Sequence, residues 1–295
     1  MNDYTSKDST DFYANPLVSQ NEFARVRQTG YSIELSDTLS EGWKLVQKNI
    51  GLLIGFCLVA FLMLTASSLI LSFIPLIGGF ANLGFTTIVI AGFYTFFIQY
   101  QKNQFTTFSD FFESFQDGVQ LGLYGLISSL IAYIPALIIG VIAFIIIAAG
   151  VRLNGFDGLD GLLNSNFDSI AENLFMIFII FMFFCLLMIP VFLISILYIF
   201  APIIIITHKK EFWAAMELSR KLVMKNFLGN IGLFFVLGII NFIGMIPFGL
   251  GLLITVPLSF ACIFVLYLKL VQKNGEETDF GSNFYGDEKA PLDAI

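Results

Sequence analysis

Long unbroken apolar runs alternate along the chain with short stretches in which apolar and polar positions recur every three or four residues. Six runs reach the roughly 17–25 residues with which a helix crosses a hydrocarbon core. They are Gly51 to Phe73, Phe80 to Phe97, Leu121 to Ala149, Phe175 to Thr207, Leu228 to Ile246 and Phe248 to Leu270. Lipid offers no partners to backbone N–H and C=O groups, so each run is predicted to be a helix. None carries the alternating polarity of a barrel strand. Two runs exceed one perpendicular crossing, and these hold Pro135 and the pair Pro190 and Pro202. Each proline removes a helical hydrogen bond, so a kink or break is expected there. Pro202 alternatively opens an interfacial segment, leaving the span at Phe175 to Phe200.

The intervening stretches read as amphipathic helices. In the segment 35–50, Leu39, Trp43, Val46 and Ile50 fall on one face, and Asp37, Glu41, Lys44 and Lys48 on the other. In FWAAMELSRKLVMKNF, residues 212–227, Phe212, Met216, Val223 and Phe227 oppose Glu217, Lys221 and Lys225. The two tryptophans, Trp43 and Trp213, fall one in each. Both helices are expected in the cytoplasmic interface, apolar side in the acyl region and lysines, with Arg220, toward anionic headgroups.

These two helices also match in sequence: KLVQKNI at 44–50 echoes KLVMKNF at 221–227. Each copy is followed by a span, a Pro/Gly turn, a second span and a closing Gln-Lys-Asn. A degenerate third copy is TTFSDFFESFQDG at 106–118, with Phe108, Phe111, Phe112 and Phe115 against Asp110, Glu113 and Asp117. The implied unit is an interfacial helix plus a helical hairpin, repeated in parallel over about 35–103, 106–207 and 208–274. Polar tails, 1–34 and 275–295, flank this six-span domain and read as flexible.

Composition agrees with a bilayer: hydrophobic residues make up 57%, Phe occurs 35 times, charged residues are 13%, and mean hydropathy is +0.84. The expected fold class is all-α integral membrane, with six transmembrane helices and amphipathic interfacial helices. With both termini inside, every Lys and Arg except Arg152 falls on the cytoplasmic side. An odd number of spans would spoil that asymmetry. No apolar segment precedes the first span, which is expected to direct insertion itself. The net charge of −7 reflects mainly the tails, and Cys57, Cys185 and Cys262 all lie within spans as small hydrophobes. The outer loop, Val151 to Leu174, is acidic and lacks the ligand spacing of a calcium-binding loop.

The segment from Tyr198 to Lys225, with YIFAPIIII followed by FWAAMELSRKLVMKN, a Gly/Pro hairpin and a late Tyr267, resembles a family of bacterial multi-pass proteins. That family includes the membrane domain appended to some glycerophosphodiester phosphodiesterases. The resemblance implies a bacterial inner-membrane location and a topology, and brings no activity with it, because the phosphodiesterase domain is absent. Some relatives carry a carotene mono-oxygenase label. A non-haem iron site needs several histidines or a His/carboxylate triad, and this chain has one histidine, His208, so that label is rejected.

No acidic or basic residue lies in the core of any span, where proton- and ion-coupled pathways place them. Phosphate-binding, zinc-protease and nucleophile-elbow motifs are lacking as well. An enzyme is not expected, nor a metal, a cofactor or a nucleic-acid partner. The expected function is a non-catalytic module that organises envelope lipids, above all anionic ones, or partner membrane proteins. Its surface comprises Trp43, Lys44, Lys48, Trp213, Arg220, Lys221 and Lys225. The alternative is an uncoupled permease or lipid translocator using a groove between repeats, in which Asn82 and Asn241 line a cavity. Their competing role is hydrogen bonding between helices.

Overall fold

The computed structural model describes residues 33–74, 77–103, 106–154 and 167–272. Both tails, the turn at Pro75 and most of the acidic loop at 151–174 lie outside the described residues. Every described element is helical: α1 (Leu35–Lys48), α2 (Ile50–Ser72), α3 (Ile77–Asn103), a 3-10 helix (Phe108–Asp117), α4 (Gly118–Asn154), α5 (Phe167–Leu197), α6 (Ala201–His208), α7 (Phe212–Val223), a 3-10 turn (Met224–Asn226), α8 (Phe227–Met245) and α9 (Leu252–Gln272). Six helical stretches are long and apolar enough to cross a membrane. The chain is thus an all-helical, multi-pass membrane protein.

Prolines behave according to their position. Pro135, Pro190 and Pro257 lie within helices α4, α5 and α9. At the long fourth run the helix stops at Leu197 and restarts at Ala201, with Pro202 in its first turn, where a missing N–H costs no helical bond. The restarted helix is enclosed by the other helices: 199–206 are buried without exception. The next break is at Lys209, whose left-handed backbone (φ 48°) ends α6 and turns the chain into α7. Asn226 caps α8, its side chain accepting from the Gly229 N–H at 3.0 Å.

The chain divides into two compact units, one of residues 1–125 and 198–295, the other of Leu126–Leu197. In the smaller unit, Gly140 of α4 faces Leu187 of α5. In the larger unit, α2 pairs with α3 and α8 with α9 as hairpins, while α9 also packs on α2 and α3. Its core is the ends of three helices: 91–98 of α3, 199–206 in and before α6, and 261–268 of α9 are continuously buried. Such all-round burial is what a helix hydrophobic on every face adopts when other helices surround it. At the start of α4, the Gly122 backbone approaches Gly84 of α3 so closely that a Cβ on Gly84 would sit 3.2 Å from the Gly122 carbonyl oxygen. The pair Gly84 and Gly122 thus supports close helix contact, whereas a Cβ on Gly51 would meet open space.

Candidate functional site

The three amphipathic stretches do not lie on the surface as independent helices. Each packs on the end of a core helix: α1 on α9, the first 3-10 helix on α3, and α7 on α6. In α1 the buried residues are Thr38, Gly42, Leu45 and Val46; in α7 they are Ala215, Met216, Ser219, Leu222 and Val223. Thr38 and Ala215, Gly42 and Ser219, Leu45 and Leu222, and Val46 and Val223 form pairs at one constant sequence offset. The same register positions are therefore buried in both helices.

This corrects the facial assignment made from periodicity. Val46, Met216 and Val223, assigned to the acyl-facing side, are instead buried against protein, while Trp43 and Ile50 are exposed and Leu39, Phe212 and Phe227 are half-buried. Contact with a partner helix, rather than apolarity alone, selects the buried face, and small residues make that contact. A Cβ on Gly42 would come within 2.6 Å of Cys262 Sγ and 3.2 Å of the Cys262 backbone nitrogen. At the matching position of α7, Ser219 Oγ accepts from the Phe200 N–H at 3.2 Å, satisfying a donor at the α5–α6 break.

The third stretch is a 3-10 helix capped by a box in which Thr107 and Asp110 serve each other's backbone. Its aromatic face divides. Phe111 is buried, its ring stacked between Phe56 (4.0 Å) and Phe96 (4.2 Å), while Phe115 remains exposed. Aromatic pairs of this kind add about 0.5–1.5 kcal/mol beyond the area they bury.

Around these contacts lies a belt of polar groups at one end of the larger unit. Glu41 of α1 pairs with Lys269 of α9 at 3.0 Å, and Asp117 of the 3-10 helix pairs with Lys209 at 2.6 Å. Gln99 donates to Glu113, and Gln120 accepts from the Phe212 N–H at 2.9 Å. His208 and Tyr267 share a hydrogen bond of 3.0 Å that joins α6 to α9. His208 is therefore tied into helix packing. These bonds gather 35–50, 99–120, 207–226 and the end of α9 on one side, which is where the basic residues concentrate.

On that side the lysines are presented differently by each helix. Lys44 and Lys48 are exposed on α1 beside Trp43, which is 38% exposed. On α7, Trp213 is 61% exposed, and Arg220 and Lys221 both reach Glu217, at 2.9 and 2.8 Å. Hydrogen bonds from Lys221 and then Arg220 hold the exposed Glu217 carboxyl below the ordinary carboxylate range. Lys225 is exposed in the 3-10 turn that follows. The 3-10 helix 108–117 carries three acids and no base.

Asn82 and Asn241 occur elsewhere, one in each hairpin. Asn82 Oδ1 accepts from Ser67 at 3.0 Å and its Nδ2 donates to Ser68 at 3.2 Å, joining α3 to α2. Asn241 Nδ2 donates to Ser259 Oγ at 2.8 Å and to the Leu237 carbonyl at 2.9 Å, joining α8 to α9. Their positions bring neither asparagine to the basic belt. No family model matches the chain, and no curated protein or solved structure is detectably similar to it.

Proposed function

We propose that this protein is a non-catalytic membrane module of three parallel repeats that holds anionic lipid headgroups at its cytoplasmic face through α1 and α7. The observation that carries this reading is the shared register of the two helices. Each buries its 38/215, 42/219, 45/222 and 46/223 positions against a core helix; Lys44 and Lys48 on α1, Lys221 on α7, which is bridged to Glu217, and Lys225 in the turn that follows all lie off those positions. A lysine near an anionic bilayer surface is worth about 1 kcal/mol. Fixing the helix to the bundle also places those charges at a set depth, with tryptophan at the headgroup level. The likeness of 198–274 to a bacterial inner-membrane domain belongs to the same proposal, as does a cytoplasmic location for both termini.

The reading is tested by purifying the full chain from its membrane in mild detergent and quantifying retained lipid. Phosphatidylglycerol is expected to be enriched over its bulk fraction, and the combined change K44E, K48E, K221E and K225E is expected to return it to bulk. Enrichment that survives the reversal sinks the lipid reading. A stoichiometric protein lost on reversal, with lipid unchanged, would instead identify this face as a protein interface.

The permease alternative draws less support, because Asn82 and the Asn241 Nδ2 group find their partners inside their own hairpins, although Asn241 Oδ1 is buried without a partner. In that role they act as clamps between helices, each worth about 0.6 kcal/mol.

A further inference from the structure

We infer that the turn closing the α8–α9 hairpin, residues 246–251, is immersed in lipid: it ends among the acyl chains of the leaflet opposite the polar belt and does not emerge into water. This needs only the membrane-spanning character of the hairpin and is independent of what the basic residues bind.

The turn is chemically unlike one made for an aqueous surface. It reads IPFGLG, and no side chain between Asn241 and Thr255 carries an N–H or O–H group. No charged residue occurs between Lys225 and Lys269. Phe248 is fully exposed and holds a left-handed backbone, φ 53°, which Gly, Asn or Asp would adopt at less cost in a turn facing water. Its ring continues the lipid-facing surface of α8, where Phe235, Ile239, Phe242 and Met245 are exposed.

Lipid would still reject the turn if its backbone needed water. The N–H groups of Ile246, Phe248, Gly249, Leu250 and Leu252 instead donate to the carbonyls of Ile243, Ile246, Met245, Pro247 and Gly249, at 2.8 to 3.2 Å. Pro247 has no N–H to satisfy. The remaining turn donor, the Gly251 N–H, lies where the two legs touch: a Cβ on Gly251 would come within 2.5 Å of the Gly244 carbonyl oxygen.

Reach agrees with this chemistry. Lys269 is fixed in the polar belt by Glu41 at 3.0 Å. From Lys269 back to Leu252 α9 rises about 26 Å, and the 19 residues of α8 rise about 28 Å, against a hydrocarbon core of about 30 Å. Clearing the far headgroups would take about 5–7 Å more. Tilt only shortens the reach. Both helices therefore end inside the hydrocarbon, and the turn lies in its outermost layer.

The test uses the full chain in vesicles of phosphatidylcholine and phosphatidylglycerol, with Trp43 and Trp213 changed to Phe and F248W supplying the sole tryptophan. Lipids brominated on their acyl chains are expected to remove most of the indole emission, a nitroxide linked to the headgroup to remove less, and iodide in the water to leave it unchanged. Stronger quenching by iodide or by the nitroxide than by the bromines overturns the inference. Emission that none of the three alters overturns it as well, because the turn would then be covered by protein, a second copy of this chain included. L250W, on the same turn, is read in the same way and decides the matter if F248W does not reconstitute.

Discussion

Gly42 shows how much one side chain can decide. It sits where α1 crosses α9, and any Cβ there would collide with Cys262 Sγ and press on its backbone. A thiol can rotate away, but a backbone nitrogen in the middle of a buried helix cannot. Gly42→Leu is therefore expected to destabilise the bundle by about 1–3 kcal/mol, as overpacking does. It should also increase protease cleavage between α1 and α2. A Gly42→Leu chain with wild-type melting temperature and cleavage would show that α1 is not seated on α9. The corresponding Ser219 tells the same story differently: its small side chain allows close approach, and its hydroxyl also serves the Phe200 N–H.

Among the elements, the first 3-10 helix departs most from its sequence pattern. Its spacing suggests an aromatic face turned to lipid, yet Phe111 is stacked between helices α2 and α3. In a bilayer an apolar ring gains little by moving from lipid to protein, so the stabilisation lies in packing contacts that lipid chains cannot replace once the site is closed. Phe111→Ala is expected to cost about 3 kcal/mol through the cavity it leaves. Thermal unfolding in detergent checks this. Phe115→Ala, on the exposed side of the same helix, should cost much less, and equal losses would refute the division of the face.

At the scale of the whole molecule, the contacts Glu41–Lys269, Gln99–Glu113, Lys209–Asp117 and His208–Tyr267 bring four separate segments to one side of the larger unit. Even parity of spans between them is the topological counterpart. Single cysteines introduced at Lys48 and Lys225, in a chain with its native cysteines replaced by serine, are expected to react with a membrane-impermeant maleimide from the same side of sealed vesicles. A cysteine at Asp160, in the acidic outer loop, should react from the opposite side. Labelling of positions 48 and 225 from opposite sides would refute the six-span topology.

Hydropathy and length determined the six spans and the helical class, because backbone satisfaction in lipid leaves few other structures open. The positions of the short helices at 35–48 and 212–223 were equally legible, since 3.6-residue periodicity is a local property. Tertiary structure alone decided which face of each segment is buried. That choice depends on what the segment meets, such as Cys262 for Gly42, Phe200 for Ser219, or Phe56 and Phe96 for Phe111, residues that the sequence places far away or on other helices. The ion pair of Asp117 with Lys209 was illegible for the same reason, as 92 residues separate its partners. Local pattern specifies helices, while partners distant in sequence specify which of their surfaces remain available for function.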